Sequence, residues 1–509
     1  MINYGKDKMK RALTFLIIVF LLISVTWFSA RVWAQRENVF HSLRLFSDII
    51  NLVSRHYVEE VKTEDLVKSA IRGMLNELDP YSQYMDAAEY RELQVKTQAK
   101  FGGIGIQIGM RDNVLTVIAP IEGTPAYRAG LQAGDQIIEI DGEPTEGWTI
   151  ADAVKRLRGT PGTKVRIKIR REAIKEEFEV TLIRDIINIK SVPYAGMVKS
   201  DIGYVRLADF SQVARSELED ALDSLVREGA KKFIFDLRGN SGGLLQEGFE
   251  VSNLFLPKNR LVVSVKGRDI GTNRDFITSE DGKYLTQPVV LLVDRGSASA
   301  SEIVAGCLQD WERALVIGET TFGKGSVQTI HPLEESTALK LTTAYWYTPS
   351  GRSIQKPLKK DSTKEKSSRE YRTLGRLKRE VYGKGGIAPD LYLPYPLLPK
   401  FIARTGREIF FDFAVRYKAR HKELKRPIKF NSEILEEFKT FLREKKIEFT
   451  PQEFDSSQEI IAQEIEREVA SKLEGTKGEY EVRLAYDPHV KKAIELLMTA
   501  TKQEDLFQR

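Results

Sequence analysis

The chain has 509 residues, enough for three or four domains, and its 42% hydrophobic and 29% charged residues exclude a disordered, collagen-like or polytopic membrane protein. One cysteine, Cys307, excludes an internal disulfide framework, and five scattered histidines (His41, His56, His331, His421, His489) build neither a zinc finger nor a His-Glu-x-x-His site, so no metal and no cofactor is expected. The net charge of +6 sits in two stretches, the first 34 residues and residues 356–384, where eleven Lys/Arg face four carboxylates; the rest is mildly acidic, which excludes a basic nucleic-acid-binding domain.

Lys6, Lys8, Lys10 and Arg11 precede an uncharged apolar run over residues 12–30, long enough to span a bilayer, and Val32-Trp33-Ala34 offers a cleavage site. Residues 1–34 are therefore read as a signal peptide or a membrane anchor. Basic residues before the run keep the N-terminus in the cytoplasm, so the body is exported to the cell envelope, either anchored on the periplasmic side of the inner membrane or cleaved and soluble in the periplasm. Residues 35–97 carry helical stripes, Val39, Leu43, Phe46, Ile50 and Val53, then Val67, Ile71, Met74 and Leu78, which predict a helical domain packed on a neighbour.

Over residues 98–186 the pattern predicts strands at Gly103–Ile108, Val114–Ala119, Gln136–Ile140, Lys164–Arg170 and Phe178–Ile183, with helices at Pro125–Ala129 and Ile150–Leu157. Residues 187–398 alternate strands (Gly203–Leu207, Lys232–Leu237, Val262–Val265, Val289–Val293, Leu339–Trp346) with helices (Ser216–Glu228, Leu244–Phe255, Ser299–Trp311), which predicts a mixed α/β core. The basic stretch 356–384 reads as an insertion, either mobile or touching anionic lipid. Residues 399–509, with acidic and basic residues nearly balanced and helical periodicity around Ile434–Leu442 and Ile460–Leu473, predict a separate helical appendage for structure or docking.

The string Phe101-Gly102-Gly103-Ile104-Gly105-Ile106, followed by Ala129-Gly130-Leu131-Gln132-Ala133-Gly134-Asp135, closely resembles a PDZ domain of exported proteases. Glycines beside an open strand edge leave amides free for a terminal carboxylate, so Gly103, Ile104, Gly105 and Ile106 are the candidate peptide C-terminus site. A dinucleotide loop is the rival reading, but Gly103-x-Gly105 runs into alternating isoleucines and opens no helix.

Two serines compete as nucleophile. Ser241, in Gly239-Asn240-Ser241-Gly242-Gly243, looks like the chymotrypsin signature but follows an α/β strand, with only His41 and His56 upstream as bases. Ser299, in Gly296-Ser297-Ala298-Ser299-Ala300-Ser301-Glu302, lies where an apolar strand meets a helix, whose free N-terminal amides can hold an oxyanion; the same geometry would suit a capping serine. Downstream, Gly323-Lys324-Gly325 places one lysine between glycines, and Gln328 follows.

Together with Asp236-Leu237-Arg238-Gly239-Asn240-x-Gly242-Gly243 and Tyr347-Thr348-Pro349-Ser350-Gly351-Arg352-x-Ile354-Gln355, these strings closely resemble the carboxyl-terminal processing proteases, the tail-specific serine proteases of peptidase family S41, over about Val39 to Pro394. The resemblance implies a crotonase-like protease core, Ser299 as nucleophile, Lys324 as base, Gln328 as the group orienting that lysine, and an oxyanion hole from the Ala300 and Gly243 amides. It further implies protein or peptide substrates with accessible C-termini, and an activator, an adaptor or self-association as partners besides the membrane. A lysine base must come down by ~3 pH units from its free pKa near ~10.4, about 4 kcal/mol of desolvation, and a neutral glutamine suits that task where a glutamate would not.

Other residues weigh less: Arg158 either couples the PDZ domain to the core or is a solvated helix-end charge, His331 and Cys307 are structural, and Glu302 supports the helix start. The alternatives are a catalytically inactive PDZ-bearing binding or scaffold protein of the same fold and a general hydrolase of small esters or amides.

Overall fold

A computed structural model describes residues 39–172, 174, 176–357, 370–383, 385–428 and 431–508. The apolar run 12–30 lies outside them; among the described residues no helix is long and apolar enough to cross a membrane. The chain divides into two compact units, Met1–Tyr84 and Met85–Arg509.

In the first unit a helix over 39–56 precedes the helix Thr63–Asn76. Of the expected stripe on the first helix, Val39, Leu43 and Phe46 are exposed among the described residues, while Ile50 and Val53 are half-buried. The second helix ends in a tight turn, where the Asp79 carboxylate accepts the Tyr81 and Ser82 amides at 2.7 and 2.9 Å.

The second unit begins with the helix Ala87–Gln98, capped by Asp86, then enters a small β-rich domain. Its sheet runs Ile106–Arg111, Val114–Pro120, Gln136–Ile140, Lys164–Arg170, Phe178–Ile183, all neighbours antiparallel. Alternating Val165, Ile167 and Ile169 fill its core beneath the helix Ile150–Leu157. The strand expected over Gly103–Ile108 is two strands. Lys100–Gly103 pairs with Asp185–Asn188, and Gly105 at φ +79° turns the chain before Ile106–Arg111 starts. A side chain at Gly105 would collide with Thr124, so only glycine allows this turn.

The core is a six-stranded sheet, ordered Tyr194–Lys199, Ile202–Arg206, Lys232–Asp236, Val289–Val293, Leu315–Gly318, Leu391–Tyr392, parallel except for its first pair. Alternation along Val289–Val293 sends Val289, Leu291 and Val293 to one face and Val290 and Leu292 to the other. Helices Ala214–Arg227, Leu245–Asn253 and Ala300–Asp310 cover the first face. A parallel sheet needs both faces covered, and the second cover comes from the chain's end: Tyr480, Leu484, Val490, Ala493 and Leu497 pack on Tyr204, Ile234 and Ile317. Part of the segment expected as a separate appendage thus belongs to the core's packing. A second sheet, with Ser326–Pro332, Ala338–Tyr347, Leu261–Gly267 and Arg274–Ile277 in antiparallel pairs, flanks the site.

The rest of the C-terminal segment is a helical bundle of Lys400–Thr405, Glu408–Arg420, Ser432–Glu444 and the first half of Pro451–Tyr486, cored by Phe410, Phe413, Phe438, Phe454 and Ile461. It also touches the small β domain: Arg111 pairs with Glu408 at 3.0 Å, Lys445 with Asp112 at 2.7 Å, and Val415 packs on Gly134. Of the basic insertion, residues 358–369 and 384 lie outside the described residues, while Tyr371–Arg372 and Glu380–Val381 form a hairpin. Glu312 accepts from Thr373 and Leu377, and the Leu374 amide donates to the Asp310 carbonyl, so this half is docked on the end of the helix Ala300–Asp310 instead of mobile.

Candidate active site

The buried strand Val289–Val293 passes through a tight turn into the helix Ala300–Asp310. Asp294 builds the turn: its carboxylate accepts the amides of Gly296 at 2.9 Å and Ser297 at 3.1 Å, and reaches Gly239 at 2.8 Å on the neighbouring loop. Ser299 stands at the helix start with φ 55° and ψ −114°, a conformation non-glycine residues avoid. Such strain persists only where neighbours over-determine it. Here the Ser299 amide donates to Glu302 at 2.9 Å, the Ala298 amide to the Asn240 carbonyl at 3.0 Å, and Ser301 Oγ to the same carbonyl at 2.8 Å.

The loop Gly239–Gly243 is held against that turn. A Cβ on Gly242 would lie 2.7 Å from Ser299 Cβ and 2.9 Å from the Ala300 nitrogen, and one on Gly243 would collide with the Phe210 carbonyl. Only glycines admit so close an approach, which puts Gly242 against Ser299 and the first-turn amide of Ala300, with Gly243 next in the loop against Phe210. Ser241, the rival nucleophile, is exposed on the same loop.

Lys324 arrives from the other side through Glu302. This carboxylate is wholly buried and accepts four donors: Thr321 Oγ1 at 2.6 Å, Gly323 N–H at 2.7 Å, and the Lys324 and Ser299 amides at 2.9 Å each. Burial pushes the Glu302 carboxyl above its ordinary value, against the pull of these donors. Glu302 therefore does more than support a helix start; it ties the Ser299 turn to the Lys324 loop. Its place three residues after Ser299 in a helix-start pattern was the visible signal, while its partners over 321–324 were not. Lys324 is half-buried, and Gly323 passes so near Lys356 and Gly385 that a Cβ would sit 2.8 and 3.0 Å from them.

Gln328 follows on the strand Ser326–Pro332, just after an irregularity in its pairing. Its Nε2 donates to Ser326 Oγ at 2.9 Å and Thr342 Oγ1 at 3.3 Å, so its carbonyl Oε1 is the end that can accept from an amine. His331 is exposed farther along this strand, and Cys307 is buried, its thiol pushed up by burial.

Two of the sequence motifs turn out to be buried ion pairs. Arg352 is wholly buried against Asp310 and donates to Gln309 Oε1 at 3.1 Å, anchoring the far end of the helix that follows Ser299. Asp236 accepts Tyr204 Oη at 2.6 Å and Arg238 at 2.6 and 2.9 Å. Burial alone would raise its carboxyl, but the Arg238 guanidinium and, at 3.6 Å, Arg206 hold it well below the usual range.

Four family models match the chain. Residues 201–363 match peptidase family S41, 116–171 a PDZ domain, 29–89 the activating protease CtpB N-terminal domain, and 405–453 with 450–497 the probable PDZ-protease C-terminal helical domain. A carboxy-terminal-processing protease of Bartonella bacilliformis is 41% identical over 351 residues, 68% of this chain and 80% of that one. The chain belongs to peptidase family S41. The carboxy-terminal processing protease CtpA of Bacillus subtilis is 37% identical over 60% of this chain and 65% of its own. Among solved structures, the photosystem II D1 C-terminal processing protease aligns over 70% of this chain and 94% of its own, at 26% identity and a TM-score of 0.38.

In this S41 chain the PDZ residues lie together but not on one strand. Gly103 closes one strand, Ile104 and Gly105 form the turn, and Ile106 opens the strand Ile106–Arg111, which has one pairing partner among the described residues and leaves an edge beside the helix Ile150–Leu157. The Ile104 side chain is buried and its carbonyl accepts the Ala126 amide, so it shapes the turn from within. Arg158 caps that helix, pairs with Glu92 and lies 4.6 Å over the Phe101 ring, which joins the PDZ domain to the helix Ala87–Gln98.

Proposed function

We propose that this chain is an exported serine endopeptidase that captures protein C-terminal tails on its PDZ domain and cleaves peptide bonds with a Ser299/Lys324 dyad. The observation that carries the reading is the Glu302 carboxylate, which accepts the backbone amides of both Ser299 and Lys324 and so brings two loops together at one place. Ser299 attacks the scissile carbonyl as Lys324 takes its proton, with Gln328 orienting the amine. The Ala300 and Gly243 amides hold the oxyanion, and water releases the acyl-enzyme. The strained backbone at Ser299 supports this, because strain of that kind collects at reacting residues.

A bound tail would add as a strand to the open edge of Ile106–Arg111, its carboxylate at the turn formed by Gly103, Ile104, Gly105 and Ile106. The basic and apolar N-terminus directs export, with residues 12–30 retained as anchor or cleaved. The test is cleavage of tail-bearing peptides by the purified full-length chain in detergent. Ser299→Ala and Lys324→Ala should each lower turnover at least about 1,000-fold. Unchanged turnover in both removes the dyad, no cleavage by the unaltered chain favours a binding protein of the same fold, and cleavage indifferent to the tail favours a general hydrolase.

A further inference from the structure

The loop that brings Gly242 against Ser299, with Gly243 after it, begins at Arg238, and Arg238 is gripped from two sides. On one side Asp236 takes Nε and Nη2. On the other, Nη1 donates to Asp487 at 2.8 and 3.0 Å and to Tyr395 Oη at 2.5 Å, with His489 Nδ1 at 3.3 Å. Asp487 lies 249 residues away and is itself buried.

Asp487 is also fixed in place. It is the N-cap of the helix Pro488–Thr499, accepting the His489 and Val490 amides at 2.9 and 3.1 Å. That helix packs through Val490, Ala493 and Leu497 on the back of the core sheet, and His489 Nε2 lies 2.5 Å from the Leu393 carbonyl. A rigid mount therefore reaches past the end of the strand Lys232–Asp236 to the root of the glycine loop. Beyond Arg238 the loop is tied at its middle and far end, Asn240 to the Leu207 carbonyl, the Ala298 amide and Ser301 Oγ, and Gly242 and Leu244 to Phe210, while at its root Gly239 bonds Asp294 and Arg238 is the charged tether.

We propose that Asp487 is a positioning residue of the protease: through Arg238 it sets the loop whose Gly243 amide faces the oxyanion, so the C-terminal helical segment is part of the catalytic apparatus. This rests on the peptidase reading above. Asp236 belongs to the sheet and fixes one end of the guanidinium; Asp487 fixes the other, and with both ends held the peptide after Arg238 has one orientation.

The discriminating variant is Asp487→Asn, because asparagine caps a helix as well as aspartate and only the charge facing Arg238 is lost. In the full-length protein the helix Pro488–Thr499 should keep its protection from hydrogen exchange, while the melting temperature falls as Arg238 loses one of its two carboxylates. Turnover of a tail-bearing peptide should fall about 10- to 100-fold with KM unchanged, as expected for a displaced oxyanion donor. Hydrogen exchange of the 239–244 amides should quicken at least about tenfold while helix Ala300–Asp310 keeps its protection. Arg238→Lys should move both readouts in the same direction. Unchanged exchange of that loop in Asp487→Asn overturns the proposal whatever the activity does, and so does a rise in KM at constant turnover. If the loop loosens but neither protein cleaves any peptide, the positioning role stands and the peptidase reading falls.

Discussion

Two buried carboxylates hold the two loops that meet at Ser299, and they are held in opposite ways. Asp236 roots the glycine loop among guanidiniums, and its carboxyl is driven well below the ordinary range. Glu302 joins the serine turn to the lysine loop with three backbone amides and one hydroxyl, and its carboxyl is pushed up. The difference follows from what lies nearby. Away from the nucleophile a full ion pair locks the scaffold at no chemical cost. Beside Lys324, neutral donors hold a carboxylate whose tendency to stay charged is already weakened by burial, as a proposed lysine base requires.

Cutting the charged anchor should have the largest effect. Asp236→Ala leaves Arg238 and Arg206 buried without their shared acceptor and should cost about 3–5 kcal/mol in denaturant unfolding of the full chain. Next is Glu302→Gln, which turns an amide nitrogen toward donors that need an oxygen. It should cost about 2 kcal/mol and lower peptidase turnover about 100-fold as the two loops lose register. Equal loss of stability with full turnover would break the distinction between the two anchors.

Acid titration sharpens it with a smaller effect. Asp236 has a depressed carboxyl, so its contribution is present above the unfolded value of ~3.9 and is lost as pH falls; Glu302 has a raised one, so its contribution is present below ~4.3 and is lost as pH rises through the folded value. Stability measured from pH 3 to 6 should climb less in Asp236→Asn than in the unaltered chain, by roughly 1.4 kcal/mol for each pH unit between the start of the scan and the unfolded carboxyl's ~3.9, and more in Glu302→Gln. An exposed pair sets the lower bound. Arg156 bonds Glu143 at 2.7 Å in the open, and Arg156→Ala should change stability by less than about 1 kcal/mol.

Much of the site was legible as spacing. Ser299 follows an all-apolar strand and opens a helix, and Lys324 stands between two glycines; both patterns are local, and the structure has the turn and the close approach at Gly323. The PDZ strands were legible by alternation, except where Gly105 breaks the first of them, since a glycine in an alternating run reads equally as strand or turn. The hairpin 371–381 was hidden by its basic composition, because its docking depends on Glu312 and the Asp310 carbonyl, sixty residues earlier.

By itself the sequence determined many of the elements, the turn that leads into the helix after Ser299 and the family, because periodicity, glycine placement and motif order are properties of neighbouring residues. The five apolar residues Val289–Val293 also announced a strand buried on both faces. Only the tertiary structure decided what covers the second face, that Glu302 ties serine to lysine, and that Asp487 reaches Arg238. Each of these is a contact across tens to hundreds of residues, made either by apolar side chains of the C-terminal helices or by carboxylates whose local pattern reads as solvated charge, and burial with a partner is a property of the folded chain alone.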